Sequence, residues 1–171
     1  SRDESKTITH FIPVPDPELW DINDPNLYEL NTLVYLGGVL VDTYKTTFGI
    51  RSTEFDLEKG FLLNGEPVKM LGVNNHHDLG ALGAAVNKRA IERQLEILKE
   101  MGVNAIRTAH NPPAPELLEL TDEMGFLVMD EVFDVWSKSK VEYDYSVYWE
   151  DWHERDLRDF IKRDRNHPSV V

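Results

Sequence analysis

Residues 103–129 hold two short apolar runs separated by a helix-length segment, a pattern that few architectures satisfy. Val103 to Ile106 is the first run and ends at Arg107, with His110 and Asn111 just beyond. Phe126 to Met129 is the second and ends on Asp130 and Glu131. Between them Pro112, Pro113 and Pro115 break the backbone, and a helix is expected from about Glu116 to Met124, stopped by Gly125. A strand without polar alternation is buried on both faces, which calls for a parallel sheet covered by helices. In such sheets the ligand site lies past the C-terminal strand ends. Arg107, His110, Asn111, Asp130 and Glu131 are therefore candidate site residues.

The same unit repeats on either side. Val68 to Val73 reads as an earlier apolar strand, followed by Asn74, Asn75, His76, His77 and Asp78. The glycine-rich stretch Leu79 to Ala85 lacks the spacing of a phosphate loop and is read as a site loop of small residues. Asn87 caps a helix that places Ile91, Leu95, Leu98 and Met101 on one face and ends at Gly102. A last helix is expected from about Val147 to Arg165, burying Trp149, Trp152, Leu157, Phe160 and Ile161, and Ser169 to Val171 opens another strand. Residues 58–171 thus read as about three and a half βα units, all winding with one hand, or less than half of a (β/α)8 barrel. Residues 1–57 are all-β. Strands are expected over Leu27 to Leu36 and Val39 to Phe48, joined at Gly37-Gly38, and over Thr53 to Leu57. That is too few for a closed sandwich, which needs about seven. A further hairpin, Phe61 to Val68, turns at Asn64-Gly65.

Bulk properties exclude several functions. The formal charge of −13 disfavours nucleic acid and anionic membranes as partners and is compatible with a neutral sugar. No apolar run approaches the ~18 residues of a membrane span, and the absence of cysteine removes disulfide and thiolate chemistry. The opening, Ser1 to Lys6, is polar and unlike a signal peptide, but its abrupt start leaves localisation open.

The chemistry-bearing residues can be weighed individually. Asp130 and Glu131 are neighbours on a strand and point to opposite faces, so they are not a catalytic carboxylate pair, which needs ~5–5.5 Å and convergence on one bond. One of them is read as a sugar-bonding or carboxylate-steering group, or else as an N-cap or a loop salt bridge. The consecutive His76, His77 and Asp78 diverge too much to hold one metal ion. Arg107 is expected to pair with a carboxylate. Trp136 is either a stacking platform for a pyranose or ordinary packing.

Asn104 to Pro112 (NAIRTAHNP), Leu117-Leu118 and Asp122 to Met129 (DEMGFLVM) resemble a signature of glycoside hydrolase family two, the β-galactosidases and β-glucuronidases. Asn111 stands where that signature usually has Tyr. Pro17 to Leu30 with Thr47 to Arg51 resembles the end of the immunoglobulin-like domain that precedes the family's catalytic barrel, and Asp164 to Val171 resembles the opening of its second signature. The resemblance implies an α/β fold, with residues 1–57 the C-terminal part of the sandwich and residues 58–171 the N-terminal part of the barrel. It implies a retaining exo-β-glycosidase acting on a carbohydrate, with β-galactoside the leading substrate. β-Glucuronide is the alternative, kept open by Asp78, which matches an acidic residue of glucuronidases; a non-catalytic binding module is another. His76 and His110 match the family's site histidines. No catalytic residue falls in the chain: the acid/base Glu is expected shortly after Val171 and the nucleophile later. The Glu-x-His that binds magnesium in some members is missing after Asp130-Glu131, so no cofactor is expected. Open sheet edges imply self-association or a homo-oligomer.

Overall fold

A computed structural model describes residues 5–171 of the chain; the first four residues of the polar opening lie outside it. The fold is α/β, with three small sheets. Strands β1 (Tyr28–Leu36) and β2 (Val39–Phe48) form an antiparallel ribbon that turns at Gly37-Gly38, where φ is +57° and +82°. Both values suit the tight turn that matches strand twist, and only glycine holds them without strain. No third strand joins this ribbon among the described residues.

Strand β3 (Thr53–Asp56) pairs with β4 (Gly60–Leu63), which pairs with β5 (Glu66–Pro67) through the Asn64-Gly65 turn. The pairing of β3 with β4 runs across the division expected at residue 57. The third sheet is parallel, in the order β6 (Gly72–Asn75), β7 (Ala105–Thr108), β8 (Leu127–Met129), with Val170 bridged to Val128 as the start of a fourth strand. Helices α1 (Lys88–Glu100) and α2 (Pro115–Met124) make the crossovers, and α3 (Trp149–Asp164) precedes the fourth strand. The parallel sheet is open, not a closed barrel.

Helix boundaries follow local chemistry. The Asn87 side chain accepts from the Ala90 N–H at 3.0 Å, and Pro115 begins α2 where its missing N–H costs nothing. Gly125 ends α2 at φ +71°, packed so closely that a Cβ would strike the Ile22 carbonyl.

Three expectations are corrected. Strand β6 starts at Gly72, four residues later than Val68, because the backbone before it is already engaged. The Val68 N–H closes the hairpin onto Phe61, and the Asn104 side chain takes the Leu71 N–H (2.8 Å) and the Lys69 carbonyl (3.0 Å). Met101 is exposed, since the buried face of α1 is carried by Ile91 and Leu95. The apolar residues of α3 are not buried either: Trp152, Leu157 and Ile161 face outward, and among the described residues Trp152 is covered only by the Arg155 guanidinium at 4.8 Å.

Two cores divide the parallel sheet's surroundings. Ile91, Leu95, Ile106, Leu117, Leu120 and Phe126 fill the space between the sheet and the helices α1 and α2. Trp20, Phe61, Leu63, Ala105 and Leu127 fill the opposite side. Because strand neighbours alternate, Arg107 shares the face of Ala105, not that of Ile106. The β4–β5 hairpin therefore plugs the inner face near the strands' N-terminal ends and leaves the C-terminal ends open.

A buried polar junction ties the N-terminal part to this sheet. The Trp20 indole N–H donates to the Asp122 carbonyl at 2.9 Å. The Asp122 carboxylate meets His167 Nδ1 at 2.6 Å and accepts from the Ser169 N–H at 3.1 Å, while Ser169 and Thr121 hydroxyls bond at 3.1 Å. Arg51 donates to the carbonyls of Pro168 and Val170.

Candidate functional site

The parallel register places Asn74 beside Arg107, on one face at the C-terminal strand ends. Arg107 is the hub. Its Nε donates to Glu131 Oε1, its Nη1 to Asn74 Oδ1 at 3.2 Å, and its Nη2 lies 3.0 Å from His110 Nδ1. Glu131 Oε2 lies 3.1 Å from the same His110 nitrogen. That nitrogen either accepts from Arg107 or donates to Glu131, so the tautomer sets the role of Nε2 toward a ligand. If Nδ1 accepts from the guanidinium, Nε2–H is a donor. Thr108 holds the Glu131 backbone: its Oγ1 accepts the Glu131 N–H at 2.9 Å. His76 meets His110 edge-on, with centroids 5.4 Å apart. The expected pairing of Arg107 with a carboxylate is thus present, and the partner is Glu131.

Asp130 points elsewhere. Thr108 Oγ1 is 3.4 Å from its Oδ1, and its Oδ2 is buried without a hydrogen-bond partner. Burial, together with hydrogen bonding to and the charge of Asp164, raises its pKa to about 7. A proton held on Asp130 and shared with Asp164 resolves both facts, and Arg163 grips Asp164 from the other side at 2.6 and 2.7 Å. The divergence of Asp130 and Glu131 is what adjacent strand positions dictate.

The sequence-derived set is split in two. Arg107, His110, Asp130, Glu131 and Trp136 line one cleft of 430 Å³, together with Phe133, Asp134 and Lys140. Asp78 and Asn111, expected in the same site, instead line a second cleft, also 430 Å³, between the loops and helices α1 and α2. His76 is at the rim of that second cleft while touching His110. The physical reason for Asp78 is local: its Oδ1 accepts the Gly80 N–H at 2.7 Å, which turns the carboxylate into its own loop. Asn74, Asp134, Lys140 and Asp164 were not among the predicted residues. Parity with Arg107 was a usable signal for Asn74. Nothing local marks Asp164, which lies 34 residues from its partner Asp130.

The described donors do not fit a magnesium ion, which wants near-octahedral oxygen ligands. Glu131 is taken by Arg107 and His110, and Asp134 by Lys140 at 2.8 Å, which also lowers the Asp134 pKa. Asp130 faces Asp164.

Residues 56–171 match the family described as glycosyl hydrolases family 2, TIM barrel domain, and residues 1–51 match glycosyl hydrolases family 2. The chain is 60% identical over 162 residues to the β-galactosidase BoGH2A of Bacteroides ovatus, covering 95% of this chain and 19% of that protein. It is 42% identical to a putative β-glucuronidase of Formosa agariphila, covering 93% of this chain and 15% of the relative. A solved β-glycosidase from Bacteroides vulgatus superposes with a TM-score of 0.88 at 44% identity, covering 91% of this chain and 20% of the other. The chain therefore spans between 15% and 20% of the length of these relatives.

Proposed function

We propose, because this chain belongs to glycosyl hydrolase family 2, that it is part of a retaining exo-β-glycosidase that releases terminal β-galactosyl residues. The observation that carries the reading is the Arg107–Glu131–His110 cluster, a rigid set of donors and acceptors at the strand ends where such sheets bind ligands. In this reading residues 1–57 close an immunoglobulin-like domain and residues 58–171 begin the barrel. The chain contributes substrate-holding groups: Arg107, His110 and Glu131, with His76 behind His110. The two carboxylates of the double displacement lie in later barrel strands. One attacks the anomeric carbon to form a glycosyl–enzyme ester. The other protonates the leaving oxygen and then removes a proton from the incoming water.

Charge supports a neutral sugar over a glucuronide. Arg107 is already paired with Glu131 and Lys140 with Asp134, so neither cation is free for a uronate carboxylate. Asp78, the residue that kept the glucuronidase reading open, is turned into its own loop. The similarity to a putative β-glucuronidase keeps that reading as the competitor. The parent protein should cleave a nitrophenyl β-galactoside faster than the β-glucuronide, with β-configured sugar as first product by NMR. Faster cleavage of the glucuronide overturns the specificity, and an α-configured first product overturns the mechanism.

A further inference from the structure

Beyond the Arg107–Glu131–His110 cluster the same cleft is walled by Trp136, Asp134 and Lys140. Trp136 is 64% exposed, which is unusual for a large apolar ring. Its position is nonetheless fixed. The indole stacks on Trp149 with centroids 5.8 Å apart and planes 14° apart, Trp149 stacks on His153 at 4.6 Å, and Phe133 meets Trp149 edge-on. The loop that carries Trp136 is pinned as well. Asp144 accepts from the backbone of Lys140 (2.6 Å), Val141 (2.9 Å) and Ser146 (3.0 Å) and from the Ser146 hydroxyl (2.6 Å), which hold its pKa down at about 2. Tyr145 Oη donates to Asp156 at 2.7 Å and fastens the loop to α3. A ring packed on one side and wet on the other, on a loop that cannot fold it away, is preorganised for a ligand.

We infer that Trp136 with the Lys140–Asp134 pair forms a second sugar subsite, on the leaving-group side of the bond to be cleaved. The free indole face takes the apolar C–H face of a pyranose, and Lys140 and Asp134 donate to and accept from its hydroxyls. The two charges, 2.8 Å apart, cancel, so the ligand they suit is polar and neutral. This inference rests on the exo-glycosidase reading: with the terminal sugar held at the Arg107 cluster, the one saccharide neighbour left is that on the leaving side. The substrate class is accordingly an oligosaccharide rather than a glycoside with a small aglycone.

The test uses the full-length protein and its Trp136→Ala and Trp136→Phe variants, with β-galactosyl fluoride and a β-1,4-linked galactosyl disaccharide as substrates. Trp136→Ala should lower kcat/KM for the disaccharide about tenfold more than for the fluoride, which is ~1.4 kcal/mol of leaving-side binding. Trp136→Phe, keeping an aromatic face, should restore most of that difference. Equal losses on both substrates, no loss on either, or a Phe variant as poor as Ala refutes the subsite. Wild-type protein that turns over neither substrate refutes the β-galactosidase reading instead.

Discussion

Replacing Asp122 with Ala should be among the most destabilising single changes in this chain. Asp122 is 4% exposed, and its carboxylate serves two partners, His167 Nδ1 at 2.6 Å and the Ser169 N–H at 3.1 Å. Ser169 is fully buried, so its N–H would find no water in exchange. An unsatisfied buried donor costs ~1–3 kcal/mol, and breaking a buried ion pair costs ~3–5 kcal/mol in all. At ~2–4 °C per kcal/mol for a domain of this size, the transition should fall by on the order of 10 °C.

The same pair makes stability depend on pH. Burial pulls the His167 pKa down, but the hydrogen bond to Asp122 and the charges of Asp122, Asp164 and Glu119 outweigh it, and the net shift is upward. A raised folded-state value means that the pair's contribution is complete below the unfolded imidazole value of ~6.5 and fades as pH climbs through the raised value. Thermal scans of the parent protein at about pH 6 and about pH 9 should show that loss in wild type, and a smaller one in Asp122→Ala. Asp122→Asn keeps the Ser169 acceptor and should fall between the two. A transition within 2 °C of wild type, or an unchanged pH slope in Asp122→Ala, refutes the role given to this pair.

Other outcomes follow from the same geometry. Glu131→Gln removes the charge that holds Arg107, and kcat/KM on an aryl galactoside should drop on the order of a hundredfold. Activity near wild type would place the site elsewhere. Gly125→Ala forces a left-handed residue and a clash with the Ile22 carbonyl, and should cost ~2 kcal/mol or more in denaturant unfolding. Parent enzyme stripped with a chelator should keep most of its activity, since every carboxylate of the described cleft is engaged. A large loss restored by magnesium would show that later residues build a metal site.

Sequence reading succeeded where the determining forces are local. The turns at Gly37-Gly38 and Asn64-Gly65, the Asn87 cap and the stop at Gly125 each depend on a few adjacent residues. Arg107 and Glu131 were legible because a strand's end is marked by the change from apolar to polar. The errors share a cause in groups distant along the chain. Asn104 delays β6 from 33 residues away, and Asp164 pairs with Asp130 across the whole of α3. Asp78 is expected in the site from its match to an acidic residue of glucuronidases and Asn111 from its place past a strand end, but both line the helix-side cleft, where a turn bond to Gly80 holds Asp78. The stripe on α3 was read correctly as apolar and wrongly as buried, because periodicity reports a face and not what covers it.

How the sheet edges are managed bears on what residues 1–171 do alone. In the fourth strand, the Ser169 carbonyl and the Val171 N–H pair with Val128, so the carbonyls of Pro168 and Val170 point away from β8. Arg51 donates to both of those carbonyls, and a charged group on an edge blocks pairing with another chain. The β1–β2 ribbon carries the Lys45–Glu29 pair, but among the described residues no charged side chain caps its edge carbonyls. Leu36 is 74% exposed and Val39 64%, with Leu33, Val34 and Tyr35 beside them, and a two-stranded ribbon is marginal in water by itself. The isolated chain should therefore self-associate through the ribbon, not through the fourth strand. Leu36→Lys with Val39→Lys should reduce light scattering, whereas Arg51→Ala should increase it by releasing the two carbonyls. A wild-type chain that stays monomeric would show that the ribbon's apolar residues are insufficient to drive pairing, and an Arg51→Ala chain no stickier than wild type would remove Arg51 from the account.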